Sequence, residues 1–285
     1  MNEKLTILIT NYNTSDFVGV SLRALQVLTD NKYVVLINDN GSTNGEIEKI
    51  ICIAEKYDNV YLHFRKGKNE KANLAHGTAL DVLMEQVKTP YTVVLDSDAL
   101  ILKKHWDTIL IEFLDEKKPI IGSPRLTQDH HDNKVRDIDL FPFQFIVLFD
   151  TQVFKSLQIS WKPDTKYTGF PVPPEHDTAW EVWDKFTKAG LRGKVFDAKN
   201  TRWFSAGPFR ELTGVAEYYL DGSSLIGAHF GRGSFLGKAK YKKGFYKYFY
   251  SLPLFGNFFV KYRGKHEVQR WITICNNIIN KQKDI

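Results

Sequence analysis

Cysteine is scarce in this chain: Cys52 and Cys275 are the only two in 285 residues. They lie far apart and form neither a disulfide framework nor a metal-ligand or redox pair, which excludes a disulfide-stapled scaffold and a zinc ribbon and suits a reducing compartment. Long apolar runs are also missing. The longest, such as Phe141–Phe149, fall well short of the ~18 to 20 residues needed to span a bilayer. Met1–Lys4 leads straight into a strand-like segment without a signal-peptide pattern. No repeat or low-complexity linker interrupts the chain. The expectation is a soluble cytoplasmic protein, with a peripheral place at the inner face of the membrane as the alternative. Acid is absent from Arg232 to Lys265, although Lys and Arg recur there.

What is present is a large globular composition: 43% apolar, 25% charged and a net charge of +6, enough to bury one large core or two modest ones. Aromatics make up 14%, with 20 Phe, 13 Tyr and 6 Trp. Lys240-Tyr241-Lys242-Lys243-Gly244-Phe245-Tyr246-Lys247-Tyr248-Phe249-Tyr250 interleaves the two classes. Such a stretch can hold nucleic acid, an anionic membrane surface or a lipid diphosphate. It equally suits a helix with a solvated basic face and a buried aromatic one.

The first hundred residues alternate strand and helix signals. Leu5–Thr10 and Tyr33–Asn38 are β-branched runs of the kind buried in parallel sheets. Val18, Leu22, Leu25 and Leu28 recur at helical spacing between them. Asp39-Asn40-Gly41-Ser42 is strong turn chemistry, followed by a short helix over 46–55. Val60–Phe64 alternates as a third strand, a helix is expected over 75–86, and Pro90–Leu95 is a fourth strand. This rhythm predicts an α/β fold, a doubly wound and mostly parallel sheet with helices on both faces. Beyond about Leu126 the rhythm breaks. Gln128–Asp139 is polar, Phe141–Phe149 is a strand, 161–174 a proline-rich loop, and 177–189 a helix with Trp180, Trp183 and Phe186 on one face. The expected division is 1–125 and 126–235 as two halves of one domain, then a basic-aromatic extension over 236–285.

The fourth strand ends in Leu95-Asp96-Ser97-Asp98. Two carboxylates one residue apart at the carboxyl tip of a buried strand can seat a hard divalent cation with positions left for substrate phosphates. The ligand crevice of open α/β sheets lies at these tips. A solvated turn is the plainer reading of Asp-Ser-Asp alone.

Four motifs in order resemble nucleotide-sugar-dependent glycosyltransferases of the GT-A fold, especially family 2. They are Ile9-Thr10-Asn11-Tyr12-Asn13, Asn38-Asp39-Asn40-Gly41-Ser42, Asn73-Leu74-Ala75-His76-Gly77-Thr78-Ala79-Leu80-Asp81 and Leu95-Asp96-Ser97-Asp98. The resemblance spans roughly residues 4 to 235. Ala75 stands where the family's third motif has a first glycine. The resemblance implies that Thr10, Tyr12, Asn13 and Asp39 hold the nucleotide, that Asn73 and His76 bind the nucleotide sugar, with His76 near a helix N-terminus able to face its phosphates, and that Asp98 binds a Mn2+ or Mg2+ ion. It implies that Asp96 reaches the ribose or the metal, and that a late histidine, here His229 in Leu225-Ile226-Gly227-Ala228-His229-Phe230-Gly231, completes the site. It also implies a base at the start of a second-half helix, where Pro174-Glu175-His176-Asp177 offers Asp177 ahead of Glu175. Each residue has a plainer role open to it: Tyr12 as a packed loop aromatic, Asp39 as a turn-former, His76 or Asp177 as a helix cap, His229 as a core residue.

The implied activity is inverting transfer of a sugar from a nucleotide-diphosphate donor to the hydroxyl of a glycan or lipid-linked glycan. Trp161, Trp180 and Trp183 are candidate platforms for the acceptor. Residues 232–265 are a candidate contact for an anionic membrane, and nucleic acid is the less favoured partner. Two rivals come from other classes. A haloacid-dehalogenase-like phosphatase also uses Asp-X-Asp after a strand, but on the first strand of its sheet. A decayed, non-catalytic transferase that binds nucleic acid or membrane is the other.

Overall fold

The computed structural model describes residues 3–66, 70–125, 137–167, 173–231, 233 and 256–283. The interleaved stretch 240–250 and most of the polar segment 128–139 lie outside the described residues.

A seven-stranded sheet forms the centre, in the order β3-β2-β1-β4-β7-β6-β8. Its parallel half comprises β1 (Leu5–Asn11), β2 (Tyr33–Asp39), β3 (Val60–Phe64) and β4 (Tyr91–Leu95). β-Branched and leucine residues populate β1, β2 and β4 because both faces are covered; β1 is buried along its whole length, whereas the edge strand β3 is partly exposed. The covering helices are α1 (Ser15–Leu28), α2 (Asn44–Ala54) and α3 (Ala72–Met84). α1 presents Val18, Leu22, Leu25 and Leu28, all buried, to one face. In the second half, β7 (Pro142–Asp150) pairs antiparallel to β4, β6 (Ile120–Pro124) antiparallel to β7, and β8 (Gly193–Val195) parallel to β6. The fold is thus α/β with a mostly parallel first half, as the alternating signals predicted.

A second sheet, not anticipated from the sequence, is antiparallel throughout. Its order is β5 (Ala99–Ile101), β11 (Ser224–His229), β10 (Ala216–Leu220) and β9 (Asp197–Asn200). β5 starts immediately after Asp98, so the chain leaves the main sheet at the acidic tip and enters the small sheet at once.

The later helices are α4 (Trp106–Glu112), α5 (Thr151–Ser156), α6 (Trp180–Lys188) and α7 (Gly256–Lys283). α6 begins three residues later than predicted. Its buried residues are Val182 and Phe186, with Trp183 packed beside them and Trp180 partly exposed. Trp161 is 1% exposed and sits against Phe149 and Phe154. It belongs to the core and offers no platform for an acceptor, because its ring packs inward against those two phenylalanines.

Residues 236–285, an extension by composition, include α7. Trp271, Cys275 and Ile279 recur every fourth residue and are fully buried in the core shared with α1. Phe209 stacks on Trp271 at 4.6 Å between ring centroids. Polar contacts tie the same helix down: Arg23 donates to Asn276 and Asn280, while Gln282 donates to the Leu102 carbonyl at 2.8 Å and accepts from the Lys104 N–H at 2.6 Å. Trp271→Ala should therefore destabilise the protein by about 3 to 5 kcal/mol. Urea unfolding followed by circular dichroism measures this; a midpoint equal to the wild type would mean that α7 is not part of the cooperative unit.

Candidate functional site

The carboxyl tips of β1, β2 and β4 lie side by side, because β1 pairs in register with both neighbours and Asn11 stands opposite Asp39. Thr10, Asp39, Asp96 and Asp98 lie at or just beyond these tips.

Asp96 and Asp98 occupy the turn between β4 and β5, closed by the Ala99 N–H donating to the Asp96 carbonyl at 2.9 Å. β5 pairs with β11 so that Ala99 stands opposite His229. That register carries His229 to the acidic turn from more than a hundred residues away. Its Nε2 lies 3.1 Å from Asp98 Oδ1 and 3.8 Å from Asp96 Oδ2. The pairing continues one step further, where the Phe230 N–H donates to the Asp98 carbonyl at 2.9 Å. The Gly233 N–H donates to Asp98 Oδ2 at 2.7 Å. A side chain at Gly233 would strike Asp98, its Cβ falling 2.8 Å from that of the aspartate.

Ligand atoms of Asp96, Asp98 and His229 all lie within 4.8 Å of one another. Burial pushes the Asp96 carboxyl up to about 7, with His229 pulling it down and Asp98 pushing it further up. Asp96 Oδ1 and His76 Nε2 are both shut off from solvent without a hydrogen-bond partner, 3.6 Å apart. His76 Nδ1 shares a 2.8 Å hydrogen bond with Thr10 Oγ1, and burial lowers the imidazole to about 4 against the pull of Asp98. Two carboxylates, one of them with an orphaned buried oxygen, and an imidazole fit a divalent cation that accepts oxygen and nitrogen ligands, such as Mn2+.

Two further residues support the cluster and were not singled out from the sequence. Phe145 on β7 stacks on His229, centroids 4.4 Å apart, and its carbonyl accepts from the Asp96 N–H at 3.0 Å. Tyr218 on β10 is buried beside the acids. Burial raises its pKa and the negative charges of Asp96 and Asp98 raise it further. Neither strand alternates between buried and exposed positions, and which residues reach the cluster depends on the pairing of distant strands.

On the opposite side, Asp39 is 1% exposed and its carboxylate is fully engaged. Oδ1 accepts from the N–H groups of Gly41 and Ser42 at 3.0 and 2.9 Å. Oδ2 accepts from Asn11 Nδ2 at 2.7 Å and Ser42 Oγ at 2.6 Å. Ser42 Oγ in turn accepts from the Asn13 N–H, and Asn13 Oδ1 from the Thr43 N–H. Asn13 has φ 55°, a left-handed conformation that asparagine tolerates better than most residues. The loops after β1 and β2 are thereby welded together, and Tyr12, 45% exposed, projects from the join. An Asp39 carboxylate with four donors has no acceptor position left for a ligand N–H.

Asn73 and Asp177 meet on another flank, with Glu175 two residues before Asp177 in the chain. Asn73 opens α3, and its Nδ2 lies 3.5 Å from Asp177 Oδ1. Glu175 and His176 form a 3-10 turn (Pro174–His176). His176 Nδ1 lies 2.9 Å from Asp164 Oδ2, and Tyr167 stacks on its ring at 4.6 Å. Asp177 does not cap α6; that position falls to Ala179, at φ 69°.

The family model described as glycosyl transferase family 2 matches residues 6–168, more than half of the chain. The chain belongs to glycosyl transferase family 2. No curated protein matches it in sequence. Among solved structures it is similar to the mannosyltransferase PcManGT from Pyrobaculum calidifontis in complex with GDP-Man and Mn2+, at 17% identity and a TM-score of 0.50, over 74% of this chain and 61% of that one. It is also similar to S. aureus TarS in complex with UDP-GlcNAc, at 15% identity and a TM-score of 0.47, over 68% and 56%. The chain thus spans about three fifths of the length of these structures. At such identities the likeness is one of fold, the GT-A fold. With family 2 membership and the acidic pair on the fourth strand, the haloacid-dehalogenase-like alternative falls.

The Asp39 network generates a stability prediction. Asp39→Asn replaces an acceptor by a donor facing buried N–H and O–H groups, which should cost about 3 kcal/mol. Urea unfolding of the variant beside wild type measures it, and a change below the fitting error would dissolve the assigned role.

Proposed function

We propose that this protein transfers a sugar from a nucleotide-diphosphate donor to an acceptor hydroxyl, with inversion, in glycan or polysaccharide synthesis. The observation that carries the reading is the convergence of Asp96, Asp98 and His229 at the strand tips beside the orphaned Asp96 Oδ1. Asp98 and His229 would hold a Mn2+ or Mg2+ ion directly, with Asp96 as third ligand or ribose contact. A bound cation supplies Lewis-acid neutralisation of charge on the departing diphosphate.

The chain's own residues divide the remaining work. Tyr12 offers an exposed ring for the base to stack on, and Thr10 and Asn13 line the same join. Asp39 acts by fixing that join, so direct contact with the nucleotide falls to its neighbours. His76 stands between Thr10 and Asp96, on the donor side. Asp177, or Glu175 in its place, takes the acceptor proton. As the acceptor oxygen bonds to the anomeric carbon, the bond from that carbon to the diphosphate oxygen breaks and its electron pair leaves with the diphosphate.

The acceptor is a lipid-linked or otherwise membrane-presented glycan. Phe258 and Tyr262, 70% and 66% exposed, stack on the first turns of α7, within the region of the sequence that lacks acid. Exposed aromatics amid lysines suit the interface of an anionic bilayer. Among the described residues no helix is long and apolar enough to cross a membrane, so this contact is peripheral. Flotation with vesicles containing phosphatidylglycerol should carry the protein upward, and Phe258→Ser with Tyr262→Ser should weaken it severalfold. Flotation unchanged in that double variant would remove the membrane from the proposal.

Calorimetric titration with UDP, GDP, dTDP and CMP, with and without Mn2+, tests the central reading. One nucleotide should bind in a metal-dependent manner, and Asp98→Ala should weaken it at least about tenfold, the scale on which metal-site changes act. Failure of all four to bind would return the protein to the non-catalytic alternative.

A further inference from the structure

Asn73 and Asp177 lie 104 residues apart in sequence and meet at the flank of the site. The amide of Asn73 is oriented by its own helix: Oδ1 accepts from the Leu74 N–H at 2.9 Å. Only the oxygen can meet that donor, so the NH2 group necessarily points the other way, toward Asp177 Oδ1 at 3.5 Å. The same Oδ1 accepts from the Thr178 N–H at 2.8 Å. The Thr178 hydroxyl donates back to the Asn73 carbonyl at 3.1 Å.

The two segments are locked further along. The Ala179 N–H donates to the Trp161 carbonyl at 3.2 Å. A Cβ at Gly77, one helical turn beyond Asn73, would fall 2.5 Å from that same carbonyl oxygen. Only glycine lets α3 approach so closely. Ala179 meanwhile holds φ 69°, a strained conformation for a residue with a Cβ, which persists where surrounding contacts over-determine it.

We infer that Asn73 is a positioning residue for Asp177: with the Thr178 N–H it holds Oδ1, so that Oδ2 is the oxygen presented to the acceptor hydroxyl. This rests on the transferase reading and on Asp177 as its base, and it moves Asn73 from the nucleotide-binding role implied by the family motif. The acceptor O–H proton passes to Oδ2 while the new glycosidic bond forms and the diphosphate departs with its electron pair. The arrangement favours Asp177 over Glu175 as base. It also places base and donor contacts on one helix, because His76 sits one turn along α3 from Asn73 and touches Thr10 and Asp96.

The test uses the full chain with Mn2+ and follows nucleoside diphosphate release from UDP-glucose, UDP-N-acetylglucosamine, GDP-mannose and dTDP-glucose, water serving as acceptor. Affinity for the matching nucleoside diphosphate is measured by calorimetry in parallel. Asn73→Ala should lower kcat roughly 10²-fold, the scale of an ångström-level misplacement, with nucleotide affinity within about twofold of wild type. Asn73→Asp keeps the acceptor for the Leu74 N–H, and so the helix start, but sets a like charge against Asp177. It should fold as well as wild type and be slower than Asn73→Ala. That order separates positioning from a merely structural role. Weakened nucleotide binding with kcat unchanged would assign Asn73 to the donor and overturn the inference. Unchanged kcat in both variants would overturn it too. Full turnover in Asp177→Asn would instead remove the base itself, and no nucleotide binding by wild type would remove the transferase reading from which the inference starts.

Discussion

The pairing of β5 with β11 is the constraint on which the site depends. Three residues, Ala99–Ile101, leave the acidic turn and enter an antiparallel ladder with a strand from the far end of the domain. Without that ladder Asp98 would end a strand in solvent and His229 would be an ordinary histidine at a strand end. With it, an imidazole, two carboxylates and a backbone donor meet in a space too small for any of them to move independently. Burying carboxylates this close together is costly, and here burial, with Asp98 beside it, raises the Asp96 carboxyl to about 7 while its Oδ1 is left without a partner.

Around that pairing the fold supplies three rigid walls. The loops after β1 and β2 are welded by Asp39, Asn11 and Ser42. α3 is pressed against the 161–162 segment at Gly77. β7 brings Phe145 flat against the His229 ring. Each wall is local in its hydrogen bonds but carries a residue from another part of the chain. Preorganisation of this kind lets polar groups stay aimed at a ligand without rearranging when it arrives.

The parallel half of the sheet was legible in the sequence because its signal is local. β-Branched runs ending in turn residues need no knowledge of partners, and the strand tips then follow from polarity alone. The clustering of Asp96, Asp98 and His229 was legible only through the resemblance, since Ala99-Leu100-Ile101 reads as a continuation of the preceding strand and its true partner is remote. Asp39 illustrates the opposite limit. Its Asp-Asn-Gly-Ser context announced a turn, and the structure makes that turn so complete that the carboxylate faces inward. Trp161 and α7 were hidden for a third reason: composition averages over faces. A basic, aromatic segment conceals the stripe Trp271–Cys275–Ile279, and an aromatic among prolines gives no sign of which way it points.

Gln282 clasps Leu102 and Lys104, just beyond the strand that carries Asp98 into the small sheet. The two halves of this clasp are separated by 180 residues. A nascent polypeptide can form the parallel sheet early, yet this support behind the small sheet has to wait for α7 to emerge. A chain lacking α7 would keep its acids while losing the clasp on the segment that follows β5.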